Sequence, residues 1–314
     1  MKAPVYHPLS ENLYCIDALY TGVGLACCYL LRDGDECALI ETGTANSVGN
    51  ILATLEVLNI APSQMRYIIP THVHLDHAGG AGQLMRQFPD AELLVHPKGA
   101  RHMIDPARLV ASAQRVYGEA LFLQLHGQIL PVAASRVRTL EDDETVTIGS
   151  RRLRVKHTRG HADHHFCLYD EHTRGWFSGD MFGASYARNR YSGGSFVIPA
   201  TTPTQFDPAI YQTSVRALCS VDPQQFYLTH FSALAYEPQQ QERLLRQLDE
   251  YATLGQQFDG DMAALEAQVL DITRRELLHL VSSAEAEAEI ATLHADSKLN
   301  AQGIAWWSQS QRSH

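Results

Sequence analysis

The sequence predicts an α/β chain in which sheets of short strands are covered by helices. Three observations carry that reading. Short apolar runs bounded by turn residues recur through the first part of the chain, as at 26–31, 37–40 and 67–70. Hairpin signals are mixed with helical stretches, which argues against one regularly alternating parallel sheet. From about residue 238 the strand signal stops and helical stripes take over. The expected organisation is one domain over 1–237 and a helical C-terminal extension over 238–314 packed on it.

Taken in order, residues 5–17 read as the first strand region. The runs 26–31 and 37–40 flank Asp33-Gly34, a hairpin signal. Val48, Ile51, Leu52, Leu55 and Leu58 recur at helical spacing, and Pro62 stops that helix. Strand 67–70 is followed by a polar turn and a helix to about Phe88. Residues 91–96 form a strand, and 99–125 are mostly helical with breaks near Pro106 and Gly118. Strands follow at 137–140, 145–148 and 153–157, with Gly149-Ser150 turning between the last two. Strands 166–169 and 175–178 are joined by a polar turn. Residues 181–205 show little period and read as a long loop. A helix over about 207–220 leads to a last strand, 225–228. In the tail, Leu244, Leu248 and Tyr251 share one helical stripe, Leu265, Val269 and Ile272 a second, and Ile290, Leu293, Ala301 and Ile304 a third.

Composition narrows the function. Of 314 residues, 45% are hydrophobic and 19% charged, which supplies a packed core. Lys and Arg number 25 against 35 Asp and Glu, a net charge of −10. Nucleic-acid binding needs a basic face, so no nucleic-acid partner is expected. No run approaches the ~20 apolar residues of a membrane helix, so no membrane partner is expected either. Residues 2–6 lack an export-signal pattern, and none of the six cysteines forms Cys-x-x-Cys. Buried, reduced thiols in a cytoplasmic protein are the expectation.

The chemistry concentrates in Thr71-His72-Val73-His74-Leu75-Asp76-His77, between a strand end and a helix start. In extended chain His72 and His74 point to one side and offer two imidazoles to one ion. Asp76 and His77 fall where the chain bends, placed to face a second ion. Imidazole suits zinc, iron and similar ions, and a carboxylate adds charge. Three more strands end in potential ligands: 153–157 before His161, 175–178 before Asp180, and 225–228 before His230. Each signal alone is weak; the repeated placement at strand ends gives the set its force.

His72-x-His74-x-Asp76-His77, Gly160-His161, Gly179-Asp180 and His230 together resemble the metallo-β-lactamase fold superfamily over about residues 10–232. The resemblance implies a four-layer αββα sandwich with a dinuclear metal site between the sheet edges. It implies that His72, His74 and His161 hold a first metal, that Asp76, His77 and His230 hold a second, and that Asp180 bridges them. Two segments depart from the family pattern: Glu41-Thr42-Gly43 where Asp-Thr-Gly is common, and Ala162-Asp163-His164 inside the segment that follows Gly160. Glu41 is not expected to be a ligand, and its longer side chain is expected to alter the hydrogen bonds around the site. His164 and His165 are expected to orient ligands rather than bind metal.

The implied activity is hydrolysis of a small ester, thioester or lactone by a hydroxide generated between two divalent cations, zinc first, with iron and manganese open. Asp180 would keep the cations at their separation and Asp76 would orient the water. Tyr186, Arg188, Arg190 and Tyr191, in the loop expected over the site mouth, are candidate substrate contacts, arginine suiting an anionic group. The alternatives carried forward are a metal-retaining binding or regulatory protein, a phosphodiesterase, and a mononuclear iron oxygenase. The expected partner is a small-molecule substrate; homodimer formation stays open.

Overall fold

A computed structural model describes residues 3–312. The first half of the chain supplies one sheet and its helices. Its strands are β1 (Tyr6–Ser10), β2 (Leu13–Asp17), β3 (Cys27–Asp33), β4 (Glu36–Ile40), β5 (Met65–Ile69), β6 (Glu92–Val95) and β7 (Val137–Thr139), hydrogen-bonded in that order. β1 to β4 run antiparallel, and β4 to β7 run parallel. Parallel neighbours need crossovers. These are α1 (Val48–Val57), the pair α2 (Leu75–Ala78) and α3 (Ala81–Gln87), and the group α4 (Ala100–Ile104), α5 (Ala107–Tyr117) and α6 (Glu119–His126).

The second half supplies β8 (Thr145–Ile148), β9 (Arg151–His157), β10 (Phe166–Asp170) and β11 (Gly175–Gly179). After them come a short hairpin of β12 (Arg190–Tyr191) and β13 (Gly194–Ser195), helix α7 (Pro208–Cys219), β14 (Gln225–Leu228) and β15 (Ser232–Ala235). The second sheet runs β15-β14-β11-β10-β9-β8, with β11 and β14 parallel across α7. The chain continues as α8 (Pro238–Gln257), α9 (Met262–Leu277), α10 (Ser283–Thr292) and α11 (His294–Arg312).

Period-2 alternation explains the layers. Along β3, Cys27, Tyr29 and Leu31 face the second sheet, while Cys28 and Leu30 face Val48, Ile51 and Leu84 of the helices. Along β10 and β11, Phe166, Leu168 and Phe177 join the inter-sheet core, while Cys167, Tyr169 and Trp176 pack toward α7, α8 and α9. The central strands β3, β4, β10 and β11 are therefore buried on both faces and read as nearly continuous apolar runs, whereas β8 and β9 alternate. The result is the expected αββα sandwich, with further helices C-terminal to it. The C-terminal helices cover the second sheet through Leu244, Leu248, Tyr251, Val269 and Ile304. All six cysteines are buried, and among the described residues none is in a disulfide. No helix among the described residues is long and apolar enough to cross a membrane.

Local signals account for the starts of α7, α9 and α10. Asp207 accepts from the Ile210 N–H and Pro208 opens α7; Asp261 accepts from the N–H groups of Ala263 and Ala264 to cap α9. The third stripe read from the tail is two helices, because Ser282 and Glu285 form a capping box at the start of α10 and that helix ends at Thr292. The sequence reading omitted β15, which is four residues long and follows the last predicted strand after a tight reversal. The 181–205 segment is largely irregular, as expected, but holds the small β12–β13 hairpin.

One buried ion pair pins β9 to β10. Arg151 donates through Nε (3.1 Å) and Nη2 (2.5 Å) to Asp170, which also accepts from the Thr173 hydroxyl and the His172 N–H. Asp170 is fully buried. Removing the cation strands that carboxylate away from water. Arg151→Ala is expected to cost about 3–5 kcal/mol in urea unfolding; a loss below about 1 kcal/mol would show that the pair is dispensable.

Candidate metal centre

Four strand ends converge on one rim. β5 ends at Ile69, and His72 and His74 follow in extended chain, two residues apart. The single turn of α2 then swings Asp76 and His77 round to the same side. β9 leads to His161, β11 to Asp180 and β14 to His230. Gly179 has φ +51°, and a Cβ there would collide with Thr71 Oγ1 and His165 Nε2, so only glycine turns the chain into Asp180 this close to β5.

All seven residues named from the sequence are brought together. His72, His74, His161 and Asp180 form one group able to hold an ion, and Asp76, His77 and His230 form another, with ligand atoms within 4.8 Å of one another in each. In the first, His72 Nε2 lies 2.7 Å from His74 Nδ1 and 3.2 Å from His161 Nε2. In the second, Asp76 Oδ2 lies 3.5 Å from His230 Nε2 and 3.7 Å from His77 Nε2. Asp180 stands between them. Its Oδ2 is 3.3 Å from His161 Nε2, and its Oδ1 is 3.4 Å from His77 and 3.6 Å from His230. The Asp76 and His230 side chains are 22% and 13% exposed and His74 is half-buried, so solvent reaches both groups.

The outward ring nitrogens are tied down. Thr71 Oγ1 donates to Glu41 Oε1 at 2.6 Å, which leaves its oxygen to accept from His72 Nδ1 at 3.1 Å. His77 Nδ1 donates to Glu41 Oε1 (3.0 Å), His161 Nδ1 to the Ala200 carbonyl (2.8 Å) and His230 Nδ1 to the Leu25 carbonyl (2.9 Å). With Nδ1 spent on these outward partners, all four rings turn Nε2 inward. His165 Nε2 accepts from the Asp180 N–H, and Tyr211 donates to the Asp180 carbonyl at 2.5 Å. Glu41 is the hub that the sequence reading undervalued. Its carboxylate also takes the Thr71 N–H and the Thr229 hydroxyl, its backbone sits at φ +64°, and it lies outside both ligand groups. The available signal was its place at the end of β4, beside β5.

The charges are strongly coupled. Burial pushes His72 well down, helped by His77, and His74 likewise, helped by His161. At His77 and His230 burial acts downward too, but Asp180 and Asp76 outweigh it: His77 stands well above the usual value and His230 at about 9. Burial favours protonated Asp76 and Asp180, but His77 and His230 hold both below the usual carboxylate range. Two ionised carboxylates thus sit among five imidazoles. His77 Nε2 and Asp180 Oδ1 are buried and face each other without hydrogen-bond alignment. A convergent set of imidazole and carboxylate donors with such orphaned atoms fits divalent cations of the zinc, iron or manganese type.

The four loop residues scatter. Tyr186 is buried with its ring 6.2 Å from that of His230, and its hydroxyl donates to Asp296. Arg188 lies over the Tyr186 ring and pairs with Glu289. The Arg190 guanidinium donates to the carbonyls of Phe231 and Ala233, and the Tyr191 hydroxyl accepts from Asn189. Tyr186 alone of the four touches the ligand cluster.

Fold and site together define a metal-dependent hydrolase. The chain belongs to the metallo-β-lactamase superfamily, whose sequence profile matches residues 21–222. It is 27% identical over 210 residues to the metallo-β-lactamase fold-containing protein ST1585 of Sulfurisphaera tokodaii, covering 66% of this chain and 72% of that one. It is 26% identical over 187 residues to the acyl-coenzyme A thioesterase MBLAC2 of Gallus gallus, covering 56% of this chain and 65% of the thioesterase, just under two thirds. The crystal structure of ST1585 from Sulfolobus tokodaii overlays with a TM-score of 0.66 at 22% identity, covering 94% of this chain and 98% of that one.

Glu41→Gln tests the hub. The amide retains the shape but turns an NH₂ toward groups that donate. Metal affinity, measured by chelator competition, is expected to fall about 10–100-fold; an unchanged affinity would remove Glu41 from the account.

Proposed function

We propose that the chain is a dinuclear hydrolase of small thioesters, with esters and lactones as weaker substrates. The observation that carries this reading is the placement of Asp180, which turns one carboxylate oxygen to each ligand group. His72, His74, His161 and Asp180 Oδ2 would hold one cation; Asp76, His77, His230 and Asp180 Oδ1 would hold the other. Zinc is the first candidate for both positions. When bound, divalent cations supply Lewis acidity, which lowers the pKa of water and polarises a carbonyl.

The chain's own groups do the rest. Asp76 is the more exposed of the two carboxylates in the cluster and stays ionised, so it accepts a hydrogen bond from an attacking water and orients it. Ionised at rest, it holds no proton for a leaving group until it takes one from that water, and at 22% exposure it can pass that proton on to solvent. Tyr186, whose phenol is spent on Asp296 and pushed up by burial, is a poor proton donor. A leaving group that departs as a stable anion suits such a site. A thiolate, with a parent pKa of about 8.5, meets that need near neutral pH, whereas an alkoxide does not. The thioesterase among the relatives supports the same substrate class.

The test is turnover on matched thioester, ester and lactone panels, with metal content measured alongside. His72→Ala and Asp180→Ala are each expected to lower thioester kcat/KM by more than about 100-fold, the upper end of what losing a mere ligand-orienting partner does, and to reduce bound metal. Unaltered thioester turnover in both variants would end the proposal, and preference for the oxygen ester would overturn the leaving-group argument.

A further inference from the structure

Helix α11 reaches the metal centre along one face. Asp296, Asn300 and Gly303 are spaced i, i+4 and i+7 and so lie one above another. Asp296 takes the Tyr186 hydroxyl. Gly303 lets the helix lie against Thr201, where any Cβ would collide with the threonine side chain. Between them, Asn300 is buried, with 2% of its surface exposed. Its Oδ1 accepts from the Thr201 N–H at 3.0 Å and its Nδ2 donates to the Pro199 carbonyl at 2.9 Å.

The Thr201 N–H and the Ala200 carbonyl belong to one planar peptide and point in opposite directions. Asn300 grips the first. His161 Nδ1 donates to the second at 2.8 Å. A continuous hydrogen-bond chain therefore runs from Asn300 through a single rigid peptide to a histidine of the first ligand group. Thr202 closes the clamp by donating its hydroxyl to the His161 carbonyl at 2.8 Å. Bonds in such a chain polarise one another, so the far end influences both the aim and the basicity of the imidazole.

We propose that Asn300 is a positioning residue for His161, which makes the C-terminal helix a working part of the metal centre. This rests on the reading of His161 as a metal ligand. The experiment compares cobalt-loaded wild type with His161→Ala, Asn300→Leu, Asn300→Asp and Ile304→Ala, reading the visible d–d bands, cobalt release into a chelator, and Tm. Leucine removes both clamp bonds and also the bond from Nδ2 to the Tyr251 hydroxyl (3.3 Å); Asn300→Ala is the second variant should the leucine form not fold. Aspartate keeps an acceptor for the Thr201 N–H. Ile304 is fully buried in the core on the same helix and makes no part of the clamp.

The expected result is shifted bands and release about tenfold faster in Asn300→Leu, the lower end for ligand-orienting partners. Asn300→Asp should restore the wild-type bands, and Ile304→Ala should lower Tm without moving them. Wild-type bands and release in Asn300→Leu, or equal shifts in Ile304→Ala, would overturn the proposal. Wild-type cobalt content and bands in His161→Ala would instead overturn the ligand reading beneath it.

Discussion

The structure depends on keeping one carboxylate, Asp180, ionised where water barely reaches it. Its side chain is 7% exposed. Withdrawing an ion from water costs several kcal/mol even after relaxation. That cost is offset here by His77, His230 and His161 around the oxygens, while His165 at the backbone N–H and Tyr211 at the carbonyl hold the residue in place. These partners come from both sheets and from α7. No single layer of the sandwich could assemble them, so the fold and the site stand or fall together.

The sandwich solves this by aligning strand ends rather than by clustering residues along the chain. β5 belongs to the first sheet, and β9, β11 and β14 belong to the second. The inter-sheet core fixes the offset between them: Tyr29 of β3 stacks edge-on against Phe177 and Tyr227 and donates to the Leu228 carbonyl, two residues before His230. Glu41 ties the same junction from the other side, receiving Thr71 after β5 and Thr229 after β14. Small errors in sheet packing would therefore register directly as misplaced imidazoles.

What was legible in the sequence follows from this division. The seven candidate ligands were visible because each sits at a strand end with a local signature, and the layers were visible because alternation and helical stripes are short-range patterns. Glu41 was visible as an unusual residue but not as a hub, because its partners lie 30, 36 and 188 residues away. Asn300 gave no signal at all: two of its partners are backbone groups about 100 residues away, which carry no residue identity, and the third is the Tyr251 hydroxyl, 49 residues away. Arg188 and Arg190 were read toward a substrate because their charge was visible, while the Glu289 carboxylate and the Phe231 and Ala233 carbonyls that engage them were not. Side-chain chemistry announces itself locally; its neutralisation by distant partners does not.

The same long-range partners make the two ligand groups unequal. In the first group the rings of His72 and His161 rest on a hydroxyl and a peptide carbonyl, and the group's only charge is its share of Asp180. In the second, His77 rests on the Glu41 carboxylate, and Asp76 adds a full negative charge. An imidazole anchored by a carboxylate is the more basic donor. Beyond the shared Asp180, the acidic side chain of the two groups thus sits beside His77 and His230, while the trio opposite has none of its own. On the dinuclear proposal, His72, His74 and His161 would offer a cation three neutral rings, whereas Asp76 would add a negative charge beside His77 and His230. Asp180 turns one oxygen to each group, which is why its burial bears on the whole arrangement.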